Sequence, residues 1–458
     1  MFRMFIRRRR ICALALTIVC FGFALYYHSF KQRIQVKESA QNIIPLTKYV
    51  EKELISASNV SHVGDQKRDQ RIPMQTVPPN PFKKSNPSVN YNVHAFYYTW
   101  YGNPKNDGKY LHWNHRLLPH WEKRVSNMYA TGQRHQPPDD IGANFYPVLG
   151  AYSSLDPEVI TTHMHQIKQS GIGVLALSWY PAQKADDEGK PADQYVSILL
   201  SKAAEHNIKI CFHIEPYKGR TAQSVGDDIK YINNKYGNHP AFYKTNHPHK
   251  PDKSNLPLIY IYDSYQILPD DWKILLGEDG STSIRGTKND AIVIGLLVEK
   301  KHSEDILTGG FDGFYTYFAS SGFSYGSNLM HWRDLNAFAT QHQLLFIPSV
   351  GPGYIDTNVR PWNGGNTKHR DNGAYYENEW QSALQVQPNF VSITSFNEWH
   401  EGTQIEPALS QKTVSVEFLH GKRQRGTFLY LSYGNDPNLY LDLTKTWVEQ
   451  FEKLSGNQ

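Results

Sequence analysis

Two carboxylates stand three residues apart in Phe396-Asn397-Glu398-Trp399-His400-Glu401, flanked by aromatic rings and an amide. That grouping suits cleavage of a glycosidic bond. The reaction needs one carboxyl group protonated, to assist the leaving oxygen. A second, ionised group must meet the positive charge growing at the anomeric carbon, or activate a nucleophile. Neighbouring rings lower the local dielectric and raise one of the two pKa values. At this spacing Glu398 and Glu401 share a face if the loop turns helically. Spacing alone leaves their separation open, and with it the stereochemical outcome. The chain is rich in rings, with Trp 10, Tyr 29 and Phe 21. Rings fill any large core, and they also stack on the C–H faces of sugars.

Other chemistries find less support. There is no P-loop. His213-Ile214-Glu215, His163-Met164-His165 and His112-Trp113-Asn114-His115 bring ligating side chains close together. None has a zinc spacing such as H-E-x-x-H, and twenty histidines produce such pairs by chance. No metal and no cofactor is expected. The formal net charge is +5, yet five arginines lie within the first ten residues. The remainder is nearly neutral, so no nucleic-acid surface is expected.

The elements that must position the carboxylates repeat along the chain. Eight short apolar, aromatic or β-branched runs occur at 94–100, 173–179, 209–215, 256–262, 291–298, 313–318, 344–350 and 390–396. Several are almost continuously apolar, as parallel strands buried on both faces require. Helix-like stretches at 157–170, 192–206, 329–342 and 436–454 lie between or after them. Eight strands alternating with helices is the count of a (β/α)8 TIM barrel, an α/β fold. An open doubly wound sheet normally shows a Gly-rich phosphate turn after its first strand, and none is present. The first strand is followed by a very long connection, 101–156. Long loops on the catalytic face of a barrel are usually functional.

A barrel gathers its reactive groups at the C-terminal ends of its strands. Those ends hold Tyr98 and Trp100, Trp179 and Tyr180, His213 and Glu215, and Tyr317. The eighth run leads into Asn397, Glu398, Trp399 and Glu401. Tyr98, Trp100, Tyr180, His213, Tyr317, Asn397 and Trp399 are therefore candidates for substrate binding.

The N-terminus reads as an address. Residues 1–10 form a basic tail, and 11–27 are an apolar run at the short end of what crosses a bilayer. The run exits through Tyr26-Tyr27-His28-Ser29-Phe30, which is too bulky for a signal-peptidase site. A signal-anchor helix with a cytosolic tail and a lumenal remainder is expected, in single-pass type II topology. So short a span suits a thin, early-secretory membrane. Residues 28–90 read as a lumenal stem, poor in aromatics and punctuated by Pro78-Pro79, Pro81 and Pro87. Asn59-Val60-Ser61 is a glycosylation sequon there. Cys211 is the one cysteine after the apolar run, so no intrachain disulfide forms in the lumen. The barrel is expected over 91–458.

The stretch from Phe396 through Gly402-Thr403-Gln404-Ile405-Glu406 resembles glycoside hydrolase family 99, the endo-α-1,2-mannosidases. Further motifs follow in the family's order: Phe96 to Pro104, Pro137-Pro138-Asp139-Asp140, Leu175 to Pro181, Phe212 to Tyr217, Phe311 to Phe318, and Pro348 to Thr357. The resemblance implies a (β/α)8 fold and retaining chemistry without a metal. By it, Glu398 is the base on the sugar 2-hydroxyl, and the 2-oxygen attacks the anomeric carbon to form a 1,2-anhydro sugar. Glu401 is then general acid, and afterwards base for water. Trp179 and Glu215 correspond to residues of the substrate cleft, and the loop 182–194 covers the glucose-side subsite. The implied substrate is a glucosylated high-mannose N-glycan on a glycoprotein, and the implied location the Golgi membrane. The chain departs from the family at Thr131-Gly132-Gln133-Arg134-His135, one residue longer, and at 325–331. Two rivals are a catalytically silent glycan-binding barrel and a mannan hydrolase. The intact glutamates oppose the first, and the anchor and stem oppose the second.

Overall fold

Eight parallel strands stand side by side in the computed structural model, which describes residues 88–455 apart from residue 187. They are β1 Asn90–Tyr97, β2 Ile172–Trp179, β3 Lys209–Ile214 and β4 Leu256–Ile261. Then come β5 Ile292–Leu296, β6 Gly313–Tyr315, β7 Leu345–Ile347 and β8 Val391–Ile393. A helix follows each strand. They are α1 Pro157–Gln169, α2 Val196–Glu205, α3 Ala222–Tyr236 and α4 Pro269–Leu276. The rest are α5 His302–Gly309, α6 Trp332–Gln341, α7 Ala374–Gln385 and α8 Leu439–Ser455. The sheet curls almost fully round. β7 pairs with β6, and beyond Pro348, which has no N–H to give, its continuation Ser349–Val350 pairs with β8. β8 then pairs with β1. This is the architecture of a (β/α)8 barrel. Each of the eight expected runs holds one strand, although β6, β7 and β8 keep only three residues. The helix expected from 192 begins at Val196, after a single 3₁₀ turn over Asp193–Tyr195.

The expected anchor at 11–27, the stem as far as residue 87, and Asn59 lie outside the described residues. No helix among the described residues is long and apolar enough to cross a membrane.

Period two along the strands divides the core. Phe96, Tyr98, Val174, Ala176, Cys211, Tyr260, Ile294, Tyr315 and Tyr317 fill the barrel interior. Leu175, Leu177, Trp179, Phe212 and Ile214 face the helices instead. The interior is full of rings because β1, β3, β4 and β6 turn Phe96, His213, Tyr260 and Tyr315 inward, where they meet. Phe96 meets Tyr315 and Tyr317 at 5.6 and 5.1 Å between centroids. His94 Nδ1 lies 2.7 Å from Tyr260 Oη, and burial lowers its pKa to about 3, so this ring is neutral. Cys211 is buried inward and burial pushes its thiol up, which makes it an inert core residue. Local signals set the helix starts. Asp156 caps α1 ahead of Pro157, and Thr221 with Ser224 forms a capping box on α3.

Glu379, on α7, is buried, and its Oε1 has no hydrogen-bond partner. Burial pushes its carboxyl from 4.5 up to about 8, against smaller opposing effects of Tyr375 and Lys368. The folded state therefore holds a proton that the unfolded chain releases at its ordinary value. Stability is full below pH 4.5 and is lost as pH rises toward about 8. The slope is about 1.4 kcal/mol per pH unit across that window. Glu379→Gln is expected to flatten the slope, and thermal melts between pH 5 and 8 check it.

Candidate active site

Residues 394–406 leave β8 as a tight loop and carry both glutamates. Ser395 Oγ accepts the Glu398 N–H at 2.8 Å. The Glu398 carboxylate accepts two backbone N–H groups, from Glu401 at 2.6 Å and from His400 at 3.3 Å. Glu398 is 3% exposed, whereas the Glu401 side chain is 27% exposed at the cleft mouth. Arg360 Nη1 sits 3.5 Å from Glu401 Oε1 and 3.0 Å from Asp356 Oδ2. Burial raises the Glu398 pKa well above the carboxylate range, and the Glu401 charge adds to this. Burial raises the Glu401 pKa too, and Arg360 opposes it. Both carboxyls are therefore held above the ordinary carboxylate range, Glu398 the further of the two by burial and the neighbouring Glu401 charge. That is the condition acid-assisted glycoside cleavage requires.

Around the pair the strand ends form the cleft floor. Tyr98 and Tyr317 hydrogen-bond through their hydroxyls, and Tyr98 stacks on Trp100 at 4.5 Å. Burial raises both tyrosine pKa values, and the charges of Glu398 and Glu401 add to this, which places the rings beside the carboxylates. Tyr317 holds φ +52°, a strained backbone for a ring-bearing residue, and Ser349 Oγ accepts its N–H. Ser178 Oγ donates to Glu215 Oε1 at 2.7 Å. Tyr180 lines the same side with Thr99 and Trp100. His213 lies beneath, parallel to Tyr317 at 5.8 Å, with Nε2 2.7 Å from Tyr315 Oη. The structure thus brings Tyr98, Trp100, Glu215 and Tyr317 to the two glutamates, with His213 as their support, and sets Tyr180 beside Trp100 and Ser178.

Three expected contact residues stand elsewhere. Trp179 was expected in the cleft, but it is fully buried between sheet and helices. Its Nε1 donates to Asp193 Oδ1 and its ring lies over Tyr231. Alternation decides this, because Ser178 takes the inward position and turns Trp179 outward. Asn397 is also fully buried; its side chain clamps both backbone groups of Tyr98 at 2.8 and 2.9 Å. Trp399 is buried too, and donates to Glu406 Oε2 at 2.9 Å. Both hold the loop that aims Glu398, and do not face the cleft. Glu406 also accepts from Tyr152 Oη and lies 3.1 Å from His163 Nε2. Glu406→Ala leaves these buried groups unpaired. It is expected to cost about 3 kcal/mol, measured by denaturant unfolding, with a parallel fall in turnover.

Sequence reasoning missed the residues that other loops deliver. Arg360 and Asp356 come from the loop after β7; the Pro348-to-Thr357 motif contains Asp356 but stops short of Arg360. His112, considered only as a metal ligand, stacks on Trp100 at 4.7 Å with 8° between planes. Its Nε2 lies 2.9 Å from Asp186 Oδ2, and its Nδ1 lies 3.3 Å from His400 Nε2. Burial lowers the His400 pKa well below the usual range, and Nδ1 of this ring faces Gly142 O at 2.7 Å. Asp186 belongs to the loop 182–194. Glu188 binds Arg134 through both oxygens, and buried Lys190 bonds Tyr101 O and lies 3.4 Å from Asp107. Charged contacts therefore lay that loop against the long loop after β1. No group of three or more His, Cys, Asp or Glu among the described residues is placed to hold a metal ion.

A carboxylate pair on the C-terminal rim of a parallel barrel, one member enclosed and the other open to the cleft, ringed by aromatic and hydroxyl groups, defines a glycoside hydrolase. The profile of glycosyl hydrolase family 99 matches residues 88–453. The chain is 54% identical over 368 residues to the Xenopus laevis glycoprotein endo-alpha-1,2-mannosidase, covering 80% of this chain and 78% of that one. It is 53% identical over 362 residues to the Homo sapiens glycoprotein endo-alpha-1,2-mannosidase-like protein, covering 79% and 76%. Among solved structures it is similar to the GH99 endo-alpha-mannosidase from Bacteroides thetaiotaomicron. That likeness has 42% identity and a TM-score of 0.69, over 81% of this chain and 100% of that one. The chain belongs to glycosyl hydrolase family 99.

Proposed function

We propose that the protein is an endo-α-1,2-mannosidase that cuts an internal α-1,2-mannosidic linkage of glucosylated high-mannose N-glycans and releases glucosyl-mannose oligosaccharides. The observation that carries this is the Glu398–Glu401 pair, set among Tyr98, Trp100 and Tyr317, in a chain similar over most of its length to proteins of that name. In the proposed mechanism Glu398 takes the proton of the mannose 2-hydroxyl, and the 2-oxygen closes on the anomeric carbon. A 1,2-anhydro sugar forms with inversion, and water opens it with a second inversion, so configuration is retained. Glu401 protonates the leaving oxygen and then deprotonates the water. Two backbone N–H groups fix the orientation of Glu398, which suits a base on a single hydroxyl. The greater exposure of Glu401 suits a group that must reach a departing sugar. In the free protein burial holds the Glu398 carboxyl above the ordinary carboxylate range. A sugar hydroxyl donating to Glu398 stabilises its ionised form and lowers its pKa again.

The proposed setting is the Golgi membrane, with a single-pass type II anchor and a lumenal barrel. The arginine-led apolar run at 11–27 and the sequon at Asn59 support it. The test is incubation of the purified protein with a monoglucosylated high-mannose glycan, read by mass spectrometry. Release of a glucosyl-mannose disaccharide is expected. Glycan binding without any cleavage would overturn the proposal.

A further inference from the structure

One aromatic cluster on the catalytic side of the barrel has no part in the mechanism above. Trp121, in the loop after β1, is 68% exposed. Its ring lies 3.7 Å from that of His120 and meets Trp362, from the loop after β7, edge-on at 5.3 Å and 80°. The corner is held from below. Trp362 Nε1 donates to Leu118 O at 3.0 Å, and Leu118 N donates to Val359 O at 2.8 Å. Two loops are thus laced together under a ring that stays in water. Single exposed rings are ordinary on protein surfaces. An indole set at right angles to a second, on backbone fixed by cross-loop hydrogen bonds, is instead a preorganised surface, and preorganisation lowers the cost of binding.

Its place in the cleft says what it meets. Trp362 follows Arg360 by two residues, at most ~7 Å of chain, and Arg360 reaches Glu401. The ledge therefore stands on the loop segment that carries Arg360, on the Glu401 side of the pair. We propose that Trp121 and Trp362 form a stacking ledge for a hexose on the leaving side of the cut, beyond the sugar that Glu401 protonates. The inference rests on the endomannosidase reading, since such an enzyme must hold several sugars past the scissile bond. One face of a pyranose carries C–H bonds with partial positive charge, which suits the negative face of an indole. The hydroxyl rim of that sugar stays hydrated. Tryptophan fixes only two torsions in doing this, so little side-chain entropy is lost.

The experiment compares two substrates on the purified full-length protein. One is the branched monoglucosylated high-mannose glycan, and the other a glucosyl-mannosyl-mannose trisaccharide whose leaving sugar ends short of the ledge. Trp121→Ala is expected to raise KM for the branched glycan about tenfold with kcat kept, and to change the trisaccharide by less than about twofold. Trp121→Phe is expected to restore most of the difference. Equal losses on both substrates, or none on the branched glycan, overturn the ledge. If the wild type cleaves neither substrate, the endomannosidase reading fails separately. The ledge is then judged by calorimetric binding of the branched glycan. About tenfold weaker binding by Trp121→Ala supports it, and an unchanged Kd overturns it.

Discussion

Glu401→Gln is expected to lower kcat for the glycan by about 10³-fold while leaving binding close to that of the wild type. The amide keeps the size of the carboxyl group and can still face Arg360, which lies 3.5 Å away in the wild type. It has no acidic proton for the leaving oxygen, and that loss falls on the transition state alone. A substrate whose leaving group needs no proton, such as a glycosyl fluoride, should lose far less in the bond-breaking step. The pH profile supplies a second readout. The wild type should give a bell, because the coupled pair is active with one proton and inactive with none or two. Glu401→Gln should lose the alkaline limb, which reports loss of the acid's proton. Wild-type turnover of the natural glycan by this variant would remove Glu401 from the acid role.

Glu398→Gln is expected to abolish turnover of both substrates, by about 10³-fold or more. The contrast with Glu401 follows from the proposed steps. A good leaving group replaces the acid, but nothing replaces the base that frees the 2-oxygen to attack. Binding should survive, since the loop that carries residue 398 is held by Asn397, Ser395 and the Trp399–Glu406 bond. A 2-deoxy substrate should resist the wild-type enzyme for the same reason. Efficient cleavage of that substrate, or fluoride turnover by Glu398→Gln, contradicts neighbouring-group attack and points to a carboxylate nucleophile instead.

The barrel was legible because its code is local. A run such as 173–179 is apolar at every position but Ser178 and buried throughout, as a strand covered on both faces requires, and eight such runs fix the count. The glutamate pair was legible for the same reason, since both members lie on one short loop. Legibility failed where direction mattered. Trp179 and Ser178 are neighbours, and only the register of β2 says which enters the barrel. Asn397 and Trp399 flank Glu398 in sequence, yet they turn inward to clamp Tyr98 and Glu406. Arg360 and His112 lie far along the chain from the glutamates, on loops whose strands give no sign of where those loops fold.

By itself, then, the sequence determined the alternation of strands and helices, the end of the barrel that carries chemistry, and the two carboxylates. These follow from side-chain period and from residues adjacent in the chain. The tertiary structure alone decided which carboxylate is enclosed and which is open to the cleft. It also decided that Arg360 stands beside Glu401, and that the loop 182–194 is pinned to the first long loop through Asp186, Glu188 and Lys190. Burial and charge pairing set the proton affinity of a carboxyl group, and both arise only when segments distant in sequence are brought within a few ångströms.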